Sequence, residues 1–268
     1  MLDSLFAFAD IGDEITAAPA DDLSLTVTGL EAAALAGLGD DNLVLRAARR
    51  LAAHCGTVRG AALHLDKHLP IASGIGGGSS DAAAALRALA ALWDLPPATA
   101  AEIARDLGAD VPACVDGRPV WVGGIGERLD PLPGLPPLGI ILANPRRELP
   151  TAAVFRARQG AFTESEQPRT ALGDAAALFA LLRRCRNDLT ETAIELMPEI
   201  ATMLDRLAAL PEACLARMSG SGATCFALFP DRDTAEHAAA ALAAAEPGWW
   251  LRAGVLLSGP VPARRAAR

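Results

Sequence analysis

Gly74, Gly76, Gly77 and Gly78 place four glycines in five positions, and Ser79, Ser80 and Asp81 follow at once. Lacking Cβ atoms, these glycines let backbone N–H groups converge on a ligand at close range. The run leads into Ala82–Trp93, an alanine- and leucine-rich stretch that reads as a helix. The first turn of such a helix offers free N–H donors and the positive end of its dipole. These are the requirements for holding a nucleotide polyphosphate. A P-loop is excluded, because no lysine follows the glycines. A dinucleotide fingerprint is broken by Ser79 at its third glycine position. The plain alternative is a flexible turn before a helix, which does not account for so dense a cluster.

Two further segments could do chemistry. Asp110 stands between Ala109 and Val111, ahead of Pro112, in an otherwise apolar run. A carboxylate there is either a helix N-cap or a working base. Met218-Ser-Gly-Ser-Gly222-Ala-Thr-Cys-Phe226 is a Gly/Ser hairpin between two strand-like runs. It is either a bare turn or a set of backbone donors for phosphate.

Other residues read as structural. His64 and His68 are four apart, a metal spacing on a helix; on a strand they lie roughly 13 Å apart, too far for one ion. They read as solvated side chains at a strand end. Cys114 has no histidine near it in sequence and reads as a small buried apolar residue. Trp249-Trp250 reads as packing, and Arg146-Arg147 as a solvated pair rather than an anion contact.

The elements that must position these segments follow from periodicity. Residues 4–9, 23–28 and 61–66 alternate as strands, with Leu63 and Leu65 on one face. Residues 42–55 read as an amphipathic helix capped by Asp40 or Asp41, with Arg46, Arg49 and Arg50 outward. Residues 98–107 form a second helix stopped by Gly108. Short strands at 118–122 and 127–130 precede the segment of Pro131, Pro133, Pro136 and Pro137, which reads as an interdomain linker. A buried strand at 138–143, helices at 151–158, 173–184 and 190–209, strands at 214–218 and 223–229, a helix at 233–245 and a strand at 249–257 complete the chain. Residues 160–170 read as a polar loop. The second half has β-α-β-β-α-β order.

Composition bounds the rest. The 268 residues are 51% hydrophobic and 21% charged, so a packed core is easy to build and overall disorder is excluded. The net charge is −8 and Lys67 is the sole lysine, which argues against a nucleic-acid partner. Five scattered cysteines without a C-x-x-C argue against a disulfide framework or zinc and fit a reducing, cytoplasmic location. Charges break every apolar run well short of a membrane span, so no membrane partner is expected.

Together, Pro70–Asp81, Leu107–Cys114 and Met218–Phe226 resemble the second, aspartate and third motifs of the GHMP kinases. Asp41-Asn42-Leu43, Asp66-Lys67 and Asn187-Asp188-Leu189 look like that family too, and the resemblance runs over nearly the whole chain. It implies an α+β, two-domain fold, with a ribosomal-S5-like half over residues 1–130 and a ferredoxin-like half over 131–268. It implies transfer from ATP, with Mg2+, to a small-molecule alcohol. The wording of the glycine segment points to the C2 hydroxyl of a diphosphocytidyl methylerythritol, an isoprenoid precursor, rather than to homoserine or mevalonate. The resemblance implies that Pro70, Ile71, Ala72, Ser73, Gly74, Ile75, Gly76, Gly77, Gly78, Ser79 and Ser80 wrap the triphosphate. Gly220, Ser221 and Gly222 would border the phosphoryl site. Asp110 would take the hydroxyl proton, and Thr151 and Phe155 would lie beside the cytidine end. Which residues would hold the Mg2+ stays open at this point.

The start of the chain departs from the family pattern. The family opens with a strand of the form Pro-Ala-Lys-x-Asn-Leu and a hairpin carrying a Tyr-His pair. Here Met1–Ser4 aligns only with the tail of that pattern, and the tyrosine count is zero. Lys67 is no substitute, because the family has a lysine there as well. The expectation is a start assigned too late, or else an inactive nucleotide-binding fragment. In either case the chain as given is expected to be weakly stable and nearly inactive.

Overall fold

The computed structural model describes residues 2–57, 59–168 and 172–261. The chain order is β1 (Leu2–Phe6), β2 (Glu14–Ala20), β3 (Leu23–Thr28), α1 (Ala32–Leu35), a 3₁₀ turn (Gly39–Asp41), α2 (Leu43–Cys55), β4 (Gly60–Asp66), α3 (Gly77–Leu92), α4 (Pro97–Ala104) and α5 (Val111–Asp116). Then come β5 (Val120–Gly124), β6 (Arg128–Pro131), β7 (Gly139–Asn144), α6 (Thr151–Ala157), α7 (Ala175–Arg184), α8 (Thr190–Leu196), α9 (Glu199–Ala208), β8 (Leu215–Met218), β9 (Cys225–Phe229), α10 (Arg232–Ala245) and β10 (Trp250–Val255). The fold is α+β.

Three sheets organise it. In the first, β4 lies between antiparallel β2 and parallel β3. The alternation along β4 turns Leu63 and Leu65 onto Val44, Ala47, Ala48 and Leu51 of α2 and Ala82, Ala83, Leu86 and Leu89 of α3. Burying each of these leucines contributes about 2 kcal/mol. The alanines of α2 and α3 let the two helices approach closely over the sheet. In the second sheet, β1 pairs with β5 and β5 with β6, all antiparallel. The third is antiparallel, in the order β10-β7-β9-β8. Its strand β7 is buried throughout. Ile141 and Ala143 face a core with Ile200, Met203 and Leu207 of α9 and Ala235 and Leu242 of α10. Ile140 and Leu142 face another core that also holds Leu69, Trp121 and Trp250.

That last core joins the two halves. Trp250 Nε1 donates to the His68 carbonyl at 3.0 Å, so the chain just ahead of the glycine segment is tied to β10. Both predicted packing roles hold there, since Trp250 is buried and Trp249 packs at the edge of the neighbouring core.

Several elements differ from the sequence reading. The glycine-rich helix starts at Gly77, not Ala82, so Gly77 and Gly78 are helical and only Gly76 is the left-handed N-cap. Asn42 caps α2, its side chain accepting from Val44 N at 2.9 Å, while Asp40 turns aside to pair with Arg49. The helix read over 190–209 is two helices, because Pro198 cannot donate within a helix. Strand β2 escaped notice because Pro19 and its alanines blur the alternation. The proline segment is no free linker, for Leu135 and Leu138 are buried in the joining core.

Candidate active site

The floor is the first turn of α3. Among the described residues, the N–H groups of Gly77, Gly78 and Ser79 donate to no protein acceptor; the first paired amide is Ser80, to the Gly76 carbonyl at 2.9 Å. Three free donors at the positive end of a helix of 16 residues form an anion site with an open face. A Cβ on Gly76 or Gly78 would meet nothing within 4 Å. A Cβ on Gly77 would point inward, 3.4 Å from Lys67 Nζ and 3.6 Å from Leu69. Gly77 is therefore a packing glycine, and Gly78 faces the open side.

The Ser219–Gly222 turn closes over the same segment. Ser219 Oγ donates to the Gly74 carbonyl at 3.0 Å, and Thr224 N donates to the Ser73 carbonyl at 3.1 Å. Among the described residues, the N–H groups of Gly220 and Ser221 also donate to no protein acceptor. The turn is thus brought against the glycine segment with spare donors. Ser221 is buried and meets Thr151 at the start of α6, hydroxyl to hydroxyl, at 2.9 Å. One turn later on α6, Phe155 is 46% exposed, leaving an aromatic face for a ligand.

Asp110 arrives from the other side. It sits at the N-cap position of α5, but its side chain makes no capping hydrogen bond. Position and role separate here, and the carboxylate is left for other work. Burial raises its pKa above the ordinary value. α5 is held to α3 by Arg87, which donates to the Cys114 carbonyl at 2.7 Å, and by Ser80 Oγ, which donates to Cys114 Sγ at 3.5 Å. Cys114 is buried, and burial pushes its thiol up to about 11, in keeping with a small apolar residue. The glycine segment, the hairpin, Thr151 and the α5 N-terminus therefore belong to one neighbourhood. Among the described residues, no side-chain hydrogen bond joins Ile71, Ala72, Asp110 or Phe155 to the other candidate residues.

One feature was missed in the sequence. Under α3, Lys67 Nζ donates to Asp13 Oδ2 at 2.5 Å and Asp81 Oδ2 at 2.8 Å, with all three side chains buried. Asp13 Oδ1 accepts from the His68 and Leu69 amides at 2.6 and 2.8 Å. One ammonium cannot balance two buried carboxylates. Burial pushes Asp81 up to about 7 against the pull of Lys67, and Asp13 raises it further, while the two carboxylates keep Lys67 above its ordinary value. The signal was the alternation itself: extended past Leu63 and Leu65, it puts Lys67 on the buried face. So enclosed, Lys67 is not free to reach a phosphoryl group.

The residues read as structural behave so. His64 bonds Thr28 at 2.8 Å and His68 bonds Asp66 at 2.8 Å. Arg146 lies 3.9 Å from Glu31, and Arg147 pairs with Glu199. The cysteines of the described residues are free. No helix there is long and apolar enough to cross a membrane.

Comparison with known proteins supplies the chemistry. Residues 42–118 match the GHMP kinases N terminal domain and residues 167–248 the GHMP kinases C terminal domain. A 4-diphosphocytidyl-2-C-methyl-D-erythritol kinase of Cereibacter sphaeroides is 51% identical over 253 residues, 94% of this chain and 88% of the relative. The kinase of that name from Rhodospirillum rubrum is 49% identical over 258 residues, 96% of this chain and 84% of the relative. A crystal structure of a 4-(cytidine 5'-diphospho)-2C-methyl-D-erythritol kinase superposes with a TM-score of 0.74 at 35% identity, covering 96% of this chain and 90% of that one. A homoserine kinase from Cytophaga hutchinsonii superposes at 0.75 with 18% identity over 95% and 90% of the two chains, which speaks to the fold alone.

Proposed function

The chain belongs to the GHMP kinases, in their 4-diphosphocytidyl-2-C-methyl-D-erythritol kinase family, and from this premise we propose how its own residues carry out the transfer. The reaction moves the γ-phosphoryl group of ATP to the C2 hydroxyl of the diphosphocytidyl alcohol, in isoprenoid precursor synthesis. Phosphoryl transfer asks little covalent chemistry of a protein; it asks for positioning and charge stabilisation.

The triphosphate lies over the free N–H groups of Gly77, Gly78 and Ser79, wrapped by Pro70–Ser80. Gly220, Ser221 and Gly222 border the transferred group and offer it the amides of Gly220 and Ser221. Asp110 accepts the hydroxyl proton, a task its uncapped, partly buried carboxylate suits. Thr151 and Phe155 take the cytidine end, Phe155 through its exposed ring. In this reading residues 1–130 form the nucleotide-binding half and 131–268 the other.

The donor set fits a Mg2+ carried in with the nucleotide. Among the described residues no three His, Cys, Asp or Glu side chains converge to cage an ion. The chain offers hard oxygens, the Ser79 and Ser80 hydroxyls, as Mg2+ prefers beside phosphates. When bound, the ion neutralises charge on the β- and γ-phosphates. The free thiols favour a cytoplasmic setting.

The approach of the Ser219–Gly222 turn to Gly74 is the observation that supports this reading, since it brings the two segments that carry free amides together. The test is ATP consumption with the diphosphocytidyl alcohol, homoserine and mevalonate as acceptors, by the chain as given and by one extended upstream with the family's opening lysine motif. Turnover with the first alone supports the proposal, and preference for either other acceptor overturns it.

A further inference from the structure

Asn187 and Asp188 lie between α7 and α8 and grip two different parts of the site. The Asn187 amide is fully used. Its Nδ2 donates to the Met218 carbonyl at 2.9 Å and to the Gly220 carbonyl at 2.8 Å, and its Oδ1 accepts from Leu189 N at 3.0 Å. The next residue reaches the other way. Asp188 Oδ2 accepts from Thr163 N at 2.8 Å and Thr163 Oγ1 at 3.0 Å, and its carbonyl accepts from Arg158 Nε at 3.2 Å. Arg158 in turn donates to the Gly160 and Ala161 carbonyls and lies 3.7 Å from the centre of the Phe162 ring. Ser221 and Thr151 close the circuit, joining the hairpin directly to the start of α6.

We propose that Asn187 and Asp188 are paired positioning residues for the transfer: Asn187 sets the hairpin at the phosphoryl side, and Asp188 sets the segment after α6 at the acceptor side. This rests on the functional reading above and extends it to residues that touch neither substrate. The hairpin is set through its carbonyls. Gly220 has a positive φ of 50°, so the peptide plane on either side can turn over at little cost. A carbonyl turned toward a phosphoryl oxygen would repel it, and an amide would attract it. The Asn187 amide holds the Gly220 carbonyl on its own side, which turns the Ser221 amide of the same peptide plane toward the ligand, while its bond to the Met218 carbonyl anchors the end of β8. Asp188 then fixes where α6 ends, and with it the rotation of the helix that carries Thr151 and Phe155. The two residues share one peptide bond, so neither side can shift without the other.

The test separates the two arms and a scaffold role. Asn187→Asp is isosteric, keeps the acceptor for Leu189 and puts oxygen against two carbonyls. It is expected to weaken a non-hydrolysable ATP analogue about tenfold relative to ADP, the scale of one charge-assisted hydrogen bond, and to lower kcat. Asp188→Ala is expected to raise KM for the diphosphocytidyl alcohol several-fold and leave KM for ATP unchanged. Asp188→Asn, which keeps an oxygen for Thr163, is expected to restore it. An unchanged analogue-to-ADP ratio in Asn187→Asp overturns the proposal. So does a parallel loss of Tm and of both KM values in Asn187→Asp and Asp188→Ala, which marks a scaffold only. A chain extended upstream with the family's opening Pro-Ala-Lys-x-Asn-Leu strand and Tyr-His hairpin that still leaves the alcohol unphosphorylated overturns the functional reading and the Asp188 arm with it. The nucleotide ratio judges Asn187 without any acceptor.

Discussion

Gly220 packs its backbone on that of Gly74, and its neighbours in the turn, Ser219 and Gly222, leave no room for a side chain on Gly74. A Cβ on Gly220 would lie 2.6 Å from the Gly74 carbonyl oxygen. A Cβ on Gly74 would lie 2.5 Å from the Gly222 oxygen and 2.7 Å from that of Ser219. Gly74 and Gly220 are 146 positions apart, and their contact brings the glycine segment and the hairpin side by side. At Gly74 φ is also +75°, which strains any L side chain. Gly74→Ala is therefore expected to destabilise the fold by roughly 2–4 kcal/mol through strain and displaced backbone, visible as a lower Tm, and to cost activity. An unchanged Tm would mean that the two segments are not held together as described.

Gly78→Val probes the phosphate face without that penalty. A Cβ at this position meets no protein atom within 4 Å, and valine replaces a poor helix former. Tm should hold or rise slightly while ATP affinity, read by calorimetry, falls at least tenfold. Gly77→Val would instead press on Lys67 and Leu69, so it reports on packing. Normal ATP affinity in Gly78→Val would move the triphosphate away from the α3 N-terminus.

Asp110→Asn keeps the shape of the side chain and removes the base. Turnover should fall by about 10²–10⁴, with ATP binding nearly intact. Burial raises the pKa of this carboxyl, and the base works only when ionised. The acid limb of kcat/KM should therefore lie above the range of an exposed aspartate and vanish in the variant, where only residual turnover remains. Near-normal turnover in Asp110→Asn would reduce Asp110 to the N-cap position it occupies.

Much of this was legible in the residues, for definable reasons. Alternation gave β3 and β4 almost to the residue, and the three glycine- and aspartate-bearing motifs gave the site's parts. Pairing partners far apart in sequence were not legible. Nothing in the spacing links Asp13 to Lys67, and only the continued alternation through Leu65 hinted that Lys67 turns inward. The direction of each glycine's missing Cβ was equally hidden, which is why Gly77 and Gly78 looked equivalent. Asn187 stood in a recognisable motif, but its grip on the Met218 and Gly220 carbonyls appears only once the turn between α7 and α8 lies against the end of β8.

The buried trio predicts a pH dependence of stability whose sign can be worked out. Asp81 titrates near 3.8 when unperturbed and is pushed up to about 7 in the fold, chiefly by burial. Between those values the folded chain holds a proton that the unfolded chain releases. Stability from this group is therefore full below about pH 4 and is lost as pH rises through about 7. Other carboxyls act in both directions: Asp110 shares this sign, while Asp66, Glu127 and Asp231 are lowered and have the opposite one. The informative quantity is thus the difference in Tm between the wild type and Asp81→Asn, a variant that keeps an oxygen for Lys67 and cannot ionise. That difference should shift steadily against the wild type as pH rises from about 4 to about 7, and level off on either side. Lys67→Met, which strips the cation from both carboxylates, should cost about 3–5 kcal/mol near neutral pH. A pH-independent difference for Asp81→Asn would mean that Asp81 stays ionised throughout, with Lys67 outweighing the cost of burial.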